Sequence, residues 1–320
     1  MSEQLPLVNN RIRKLSWKES GQVIKETFIE FFQEQSFFHG AALAYYTVFA
    51  MVPMIYLSLI SFGRFVGQKT MLEIIDKLLK EQVGLSDTGE IMEIMKGVNF
   101  EKGNFVMNTV GIVALLLSSS ALLASLRTSL NAFLDVDVIF TDRRKRFVHT
   151  LGTRGMTILF LPVFGLLLIL TYFGQTFILS FGQDFFGDLG FFENIILWIT
   201  QHVAAIAANV LLFSLVFKYL HDGVVEWKIA LAGATVTAVL LYLGQLVIKY
   251  YLNNFFFGSS LGVAGTILVL LAWMYYSSQI IFLGAKFMKV YAVKVNKAIA
   301  FTPSKFHPKH FINNFRKTKL

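Results

Sequence analysis

Apolar residues run along this chain in six long stretches that contain no Asp, Glu, Lys or Arg: 35–63, 103–126, 155–183, 194–217, 229–248 and 250–285. A helix needs about 20 mostly apolar residues to cross the hydrocarbon of a bilayer. Every stretch meets that length. They predict helices near 38–62, 105–126, 156–180, 194–217, 229–249 and 261–285. A membrane barrel would need shorter segments of alternating polarity, whereas LPVFGLLLILTYF is apolar on every face. The expected fold class is therefore all-α: a polytopic membrane protein of six transmembrane helices. Pro53 and Pro162 fall inside predicted spans, where neighbouring helices can satisfy the freed backbone groups.

The polar pieces between the spans carry patterns of their own. Residues 19–36 place Ile24, Phe28, Phe31 and Phe32 on one helical face, with Lys25, Glu26, Glu30 and Glu34 elsewhere. That pattern suits either an interfacial helix leading into the first span or a helix packed on its neighbours. In the loop 64–104, Leu72, Ile75 and Leu79 mark a short amphipathic helix, and Asp87 with Glu90 resembles a capping box for a second. This loop is expected to form a small helical cap. Residues 127–147 continue past the second span and end in Arg143, Arg144, Lys145 and Arg146. Three regions follow: a tail with the amphipathic helix (1–37), the transmembrane domain (38–290) and a basic tail (291–320).

Composition strengthens the membrane reading. Of the 320 residues, 55% are hydrophobic and only 15% charged, against about 25% charged in soluble domains. The net charge is +9, which in this setting points to anionic lipid rather than nucleic acid. With six spans both termini share a side. That side collects 22 Lys and Arg, against 7 on the other, so the positive-inside rule places both termini in the cytoplasm. The N-terminus has no apolar core of a cleavable signal peptide. Cysteine is absent, which excludes thiol catalysis and thiolate metal sites.

Candidate chemistry is sparse. All 20 acidic residues lie outside the six uncharged stretches, so no midplane carboxylate is available for ion coupling. The six histidines form no HxH, HExxH or HxxEH arrangement, and neither a GxSxG nor a P-loop occurs. No metal, cofactor or enzymatic activity is expected. His202 is read as a histidine satisfied by a neighbour. Ala204/Ala208 and Ala230/Ala234/Ala238 have the spacing of close helix packing. At the inner ends, Arg127 and Asn131 share a face, as do Gln279 and Lys286. If these four converge, their cations attract an anionic head group and their amides orient it.

The first span, FFHGAALAYYTVFAMVPMIYLSLISFGR, resembles the "AAALAYYTLFSLVPLL"-like signature of the YihY/BrkB family. The matching residues are Ala41, Ala42, Leu43, Ala44, Tyr45, Tyr46 and Pro53. SLRTSLNAFLDV, with Leu130, Asn131 and Phe133, is similar to that family's "LNxIW" element. FFFGSSLGVAGTILVLLAWMYYSSQIIFLGAKF resembles its closing motif through Gly258, Ser259, Gly262, Trp273, Tyr275, Gln279, Gly284 and Ala285. The likeness spans about residues 20–295. It implies a multi-pass bacterial inner-membrane protein of six helices. It also brings links to serum resistance and lipid movement, and an old ribonuclease label that the histidine and acid spacing does not support. The chain departs from the pattern at Lys286, where the family usually carries an acid, and at LHDG, where His221 replaces a proline.

The expected function is transport or flipping of an amphipathic anionic envelope substrate such as a lipid. The alternative is a non-transporting envelope organiser. Tyr45, Tyr46, Pro53, Arg127, Asn131, Gln279 and Lys286 are the candidate substrate-binding residues. Tyr45, Tyr46 and Pro53 are expected to face the bundle interior. The expected partners are membrane lipids, with anionic phospholipids at the cytoplasmic face and no nucleic acid.

Overall fold

The computed structural model describes residues 15–33, 36–80, 88–89, 92–93, 105–136, 191–255, 258–297 and 299–301. Seven helices stand among them: α1 (Trp17–Gln33), α2 (Ser36–Val66), α3 (Gln68–Leu78), α4 (Phe105–Phe133), α5 (Phe191–Tyr219), α6 (Trp227–Phe255) and α7 (Gly258–Lys294). A short antiparallel pair joins β1 (Gly223–Val224) to β2 (Ala300–Phe301). Segments of α4, α5, α6 and α7 are long and apolar enough to cross a membrane: Thr109–Phe133, His202–Tyr219, Trp227–Tyr251 and Ile267–Lys294. Helix α2 covers the predicted first span and passes through Pro53 as one helix. The predicted third span, the capping pair Asp87 and Glu90, and the Arg143–Arg146 run lie outside the described residues.

The helices outrun the uncharged stretches that predict them. Helix α7 continues for 37 residues, about 55 Å at 1.5 Å per residue. It does so through Lys286, Lys289 and Lys294, because partners on α1 and beyond α4 neutralise those lysines. Glu26 lies 2.7 Å from Lys294, and Glu30 lies 2.7 Å from Lys289. These pairings run α1 antiparallel along the last turns of α7. The buried side of α1 is Val23, Thr27 and Phe31. Of the face predicted from periodicity only Phe31 is buried, while Ile24, Phe28 and Phe32 are exposed. The acids decide that rotation: turning Glu26 and Glu30 towards the lysines carries Val23, Thr27 and Phe31 inward with them.

Small residues set the seam between α6 and α7. Ala230, Ala234 and Ala238 are fully buried, as their spacing predicts. A Cβ at Gly284 would overlap the Thr237 hydroxyl, so only glycine lets the backbones meet there. The core continues through Phe133 and Phe282, whose rings stack at 4.8 Å, with Phe31 6.0 Å from Phe133. At the opposite end of the bundle, Gly67 adopts φ +92 and turns the chain from α2 into α3. Leu72, Ile75 and Leu79 are then buried against Trp273 and Met92, as the loop pattern predicts.

Candidate functional site

The described ion pairs between different segments of the chain gather at the end that carries α1 and the β1–β2 pair. Helix α4 finishes there in a Schellman cap. Val136 N–H donates to Asn131 O at 2.8 Å, and Asp135 N–H donates to Ala132 O at 3.1 Å. Asp135 takes φ 52, the left-handed conformation that short polar side chains tolerate. One turn before the cap, Arg127 and Asn131 project from one face and meet Asp222, in the loop after α5. Arg127 Nε donates to Asp222 Oδ2 at 3.0 Å, and its Nη2 donates to Oδ1. Asn131 Nδ2 donates to Oδ2 at 2.6 Å, and Asn131 Oδ1 accepts the Asp222 N–H at 2.9 Å. Both charged side chains are largely buried. A forked guanidinium–carboxylate pair with an amide across it is a strong polar clamp.

The loop that presents Asp222 is itself fastened. His221 is buried, its Nε2–H donates to Phe217 O at 2.6 Å, and its Nδ1 accepts from Gly223 N–H at 2.9 Å. Those two bonds require the neutral imidazole. Burial holds the ring below its ordinary value of 6.5, with Arg127 and Lys218 acting in the same direction. The Phe217 carbonyl and Asp222 oppose them. The β1–β2 pair and the Lys297–Glu226 bridge, 2.7 Å, tie the same loop to the residues after α7.

A second cluster surrounds Lys286. The residue is fully buried, with Nζ 3.5 Å from Asp135 Oδ1, 3.8 Å from Glu30 Oε2 and 5.7 Å above the Phe133 ring. Lys289 pairs with the same two carboxylates. A buried ammonium is tolerated only with such compensation. Gln279 belongs to a third place. It lies against Gly40, where a Cβ would overlap its amide, and its Nε2 donates to Ser36 O at 3.1 Å. Nearby, His39 Nδ1 and Ser129 Oγ are 2.9 Å apart.

Arg127 and Asn131 therefore do converge, but on a carboxylate of the chain itself. Lys286 turns to Asp135 and Glu30, and Gln279 to the start of α2. In the described conformation the four therefore contact three different sets of partners, and both cations are paired with acids of the chain. Tyr45 and Tyr46 also differ from expectation. They are 54% and 36% exposed and pack edge to face on each other, with Tyr45 also against Phe49. The α2–α4 and α2–α7 contacts take the other faces of α2. The side chain of Pro53 lies outside the described residues. The His202 ring meets the ring of Tyr242 edge to face at 5.6 Å.

Sequence reasoning passed over Asp222, Asp135, Glu30 and Lys289. For Asp222 and Asp135 the signal is an acid just beyond a span end that also bears a base, as in LHDG and FLDV. Residues 27–305 match the family described as Virulence factor BrkB. The chain belongs to that family. No solved structure matches it. Both charge clusters fall inside the BrkB match, as do all seven candidate residues. The BrkB assignment and the long apolar helices make the chain an integral membrane protein.

Proposed function

We propose that this BrkB protein moves an amphipathic anionic envelope substrate, such as a lipid, across the bacterial inner membrane. In this reading it has six spans, both termini are cytoplasmic, and no enzymatic step is involved. The excess of basic residues on one side supports that sidedness. The observation that carries the reading is the paired layer at the α1 end. Arg127 and Lys286 are buried cations held by carboxylates from other elements. A lipid phosphodiester is also an anion that accepts a forked pair of guanidinium N–H bonds, and can compete with those carboxylates for the cations. The described conformation is then the closed one, with internal acids occupying the cation sites.

Reconstitution into vesicles bearing a fluorescent anionic phospholipid tests this. Faster head-group loss from the inner leaflet than in protein-free vesicles is the expected result. Transfer that does not exceed empty vesicles for any envelope lipid sinks it.

A further inference from the structure

Helix α1 has two sides of opposite character. Its acids are engaged within the chain. Glu26 and Glu30 are engaged by lysines of α7, and Glu19 Oε2 accepts the Ser16 N–H at 2.8 Å, within the first turn. The outward side carries Trp17, Ile24, Phe28 and Phe32 at i, i+7, i+11 and i+15, one stripe of a 3.6-residue helix. All four are exposed, Trp17 by 93%. Lys18 and Lys25, also exposed, border that stripe, and Ile29 lies beside them. No carboxylate falls on this side. A helix whose acids are engaged within the chain, and whose exposed stripe of aromatic and aliphatic side chains is bordered by lysines, has the polarity of one lying on anionic lipid.

The stripe also continues a membrane surface. Phe32 meets Phe37, the second residue of α2, at 6.2 Å. From there Phe37, Phe38, Tyr45 and Phe49 are exposed along α2. The Phe32–Phe37 contact thus joins the exposed apolar side chains of α1 to those of α2, an apolar helix of an integral membrane protein. We infer that the outward face of α1 docks on an anionic bilayer surface. Trp17, Ile24, Phe28 and Phe32 enter the acyl boundary, and Lys18 and Lys25 reach the lipid phosphates. A partner protein would need acids to meet the lysines and would have to displace lipid at Phe37 and Phe38. This inference uses only the membrane character of the chain and is independent of whether lipid is moved.

Trp17 reports on it directly. Full-length protein and its Trp17→Phe variant are placed, one chain per disc, in nanodiscs with brominated acyl chains. The discs are phosphatidylcholine with or without phosphatidylglycerol. The Trp17 signal is the difference between the two proteins, so the remaining tryptophans stay in place. Bromine quenching of that difference is expected in the anionic discs. Lys18→Gln and Lys25→Gln should each lower the ratio of docked to free α1 about fivefold there, with little change in phosphatidylcholine alone. A Trp17 signal that no brominated lipid quenches overturns the docking. Quenching that is equal in both discs and unmoved by the lysine variants overturns the recognition of anionic lipid. Shielding of Trp17 that appears only when two chains share a disc assigns the face to a second copy and overturns it too.

Discussion

At the α3 end of the bundle, Leu72, Ile75 and Leu79 are pressed onto Trp273 with Met92. The described polar contacts there are local: Asp76 accepts from Lys80 at 2.8 Å and from Thr88. At the α1 end the order is reversed. Charges link segments far apart in the chain: Arg127 to Asp222, Lys286 to Asp135 and Glu30, and Lys294 to Glu26. Apolar burial is non-directional and offers no charge for a proton or a competing anion to act on. Buried ion pairs depend on geometry and on both partners keeping their charge. The two ends therefore respond to different perturbations, and the α1 end is the one that a competing anion, a proton or a lost charge can open.

The largest effect should come from leaving one buried charge without its partner. Asp222→Asn strands the Arg127 guanidinium and should cost about 3–5 kcal/mol, read as a lower unfolding temperature in detergent. Adding Arg127→Gln to Asp222→Asn should recover much of that loss. No recovery would mean that the loop, rather than the charge pair, carries the stability. At the other end, Ile75→Ala should cost about 2–5 kcal/mol by opening a cavity against Trp273. That cost should be the same in low and high salt, and a salt-dependent cost would erase the distinction between the ends. Gly284→Ala, in the seam common to both, forces a methyl onto Thr237. It should cost about 1–3 kcal/mol, again independent of salt, with the α6–α7 packing as the readout.

The smallest effect is the most selective. His221 is buried neutral, so its folded form binds a proton less readily than the unfolded one. Stability from this group is present above its ordinary 6.5 and declines as pH falls below that value. Asp76 runs the other way: hydrogen bonds from Lys80 and Thr88 hold it below its ordinary 3.8, and its contribution is lost only under stronger acid. As pH falls from about 6.5 to 5, hydrogen-exchange protection factors, corrected for the intrinsic rate at each pH, should drop at Gly223, Val224 and Phe301 while those of residues 72–80 hold. An equal drop at both ends would break the comparison.

Several elements were legible because one physical term sets them. The uncharged stretches announce α2, α4, α5, α6 and α7 through the cost of placing charge in hydrocarbon. Ala230, Ala234 and Ala238 announce their seam because small side chains alone let helices approach. Leu72, Ile75 and Leu79 announce α3 by period. The rotation of α1 was not legible, since Val23 with Thr27 and Ile24 with Phe28 are equally periodic choices. Nor were the partners of Arg127 and Lys286, because an ion pair between residues 95 apart in sequence, as for Arg127 and Asp222, leaves no local pattern.

By itself, then, the sequence determined that the chain is helical, that it belongs in a membrane, and that α4, α5, α6 and α7 carry segments long and apolar enough to enter it. Those properties are sums over neighbouring residues. Only the tertiary structure decided which acid meets which base, that Tyr45 and Tyr46 face outward, and that α1 spends its carboxylates on α7. Pairing energies fall steeply with distance and require desolvation of both groups, so they exist only once the helices have packed and fixed who stands beside whom.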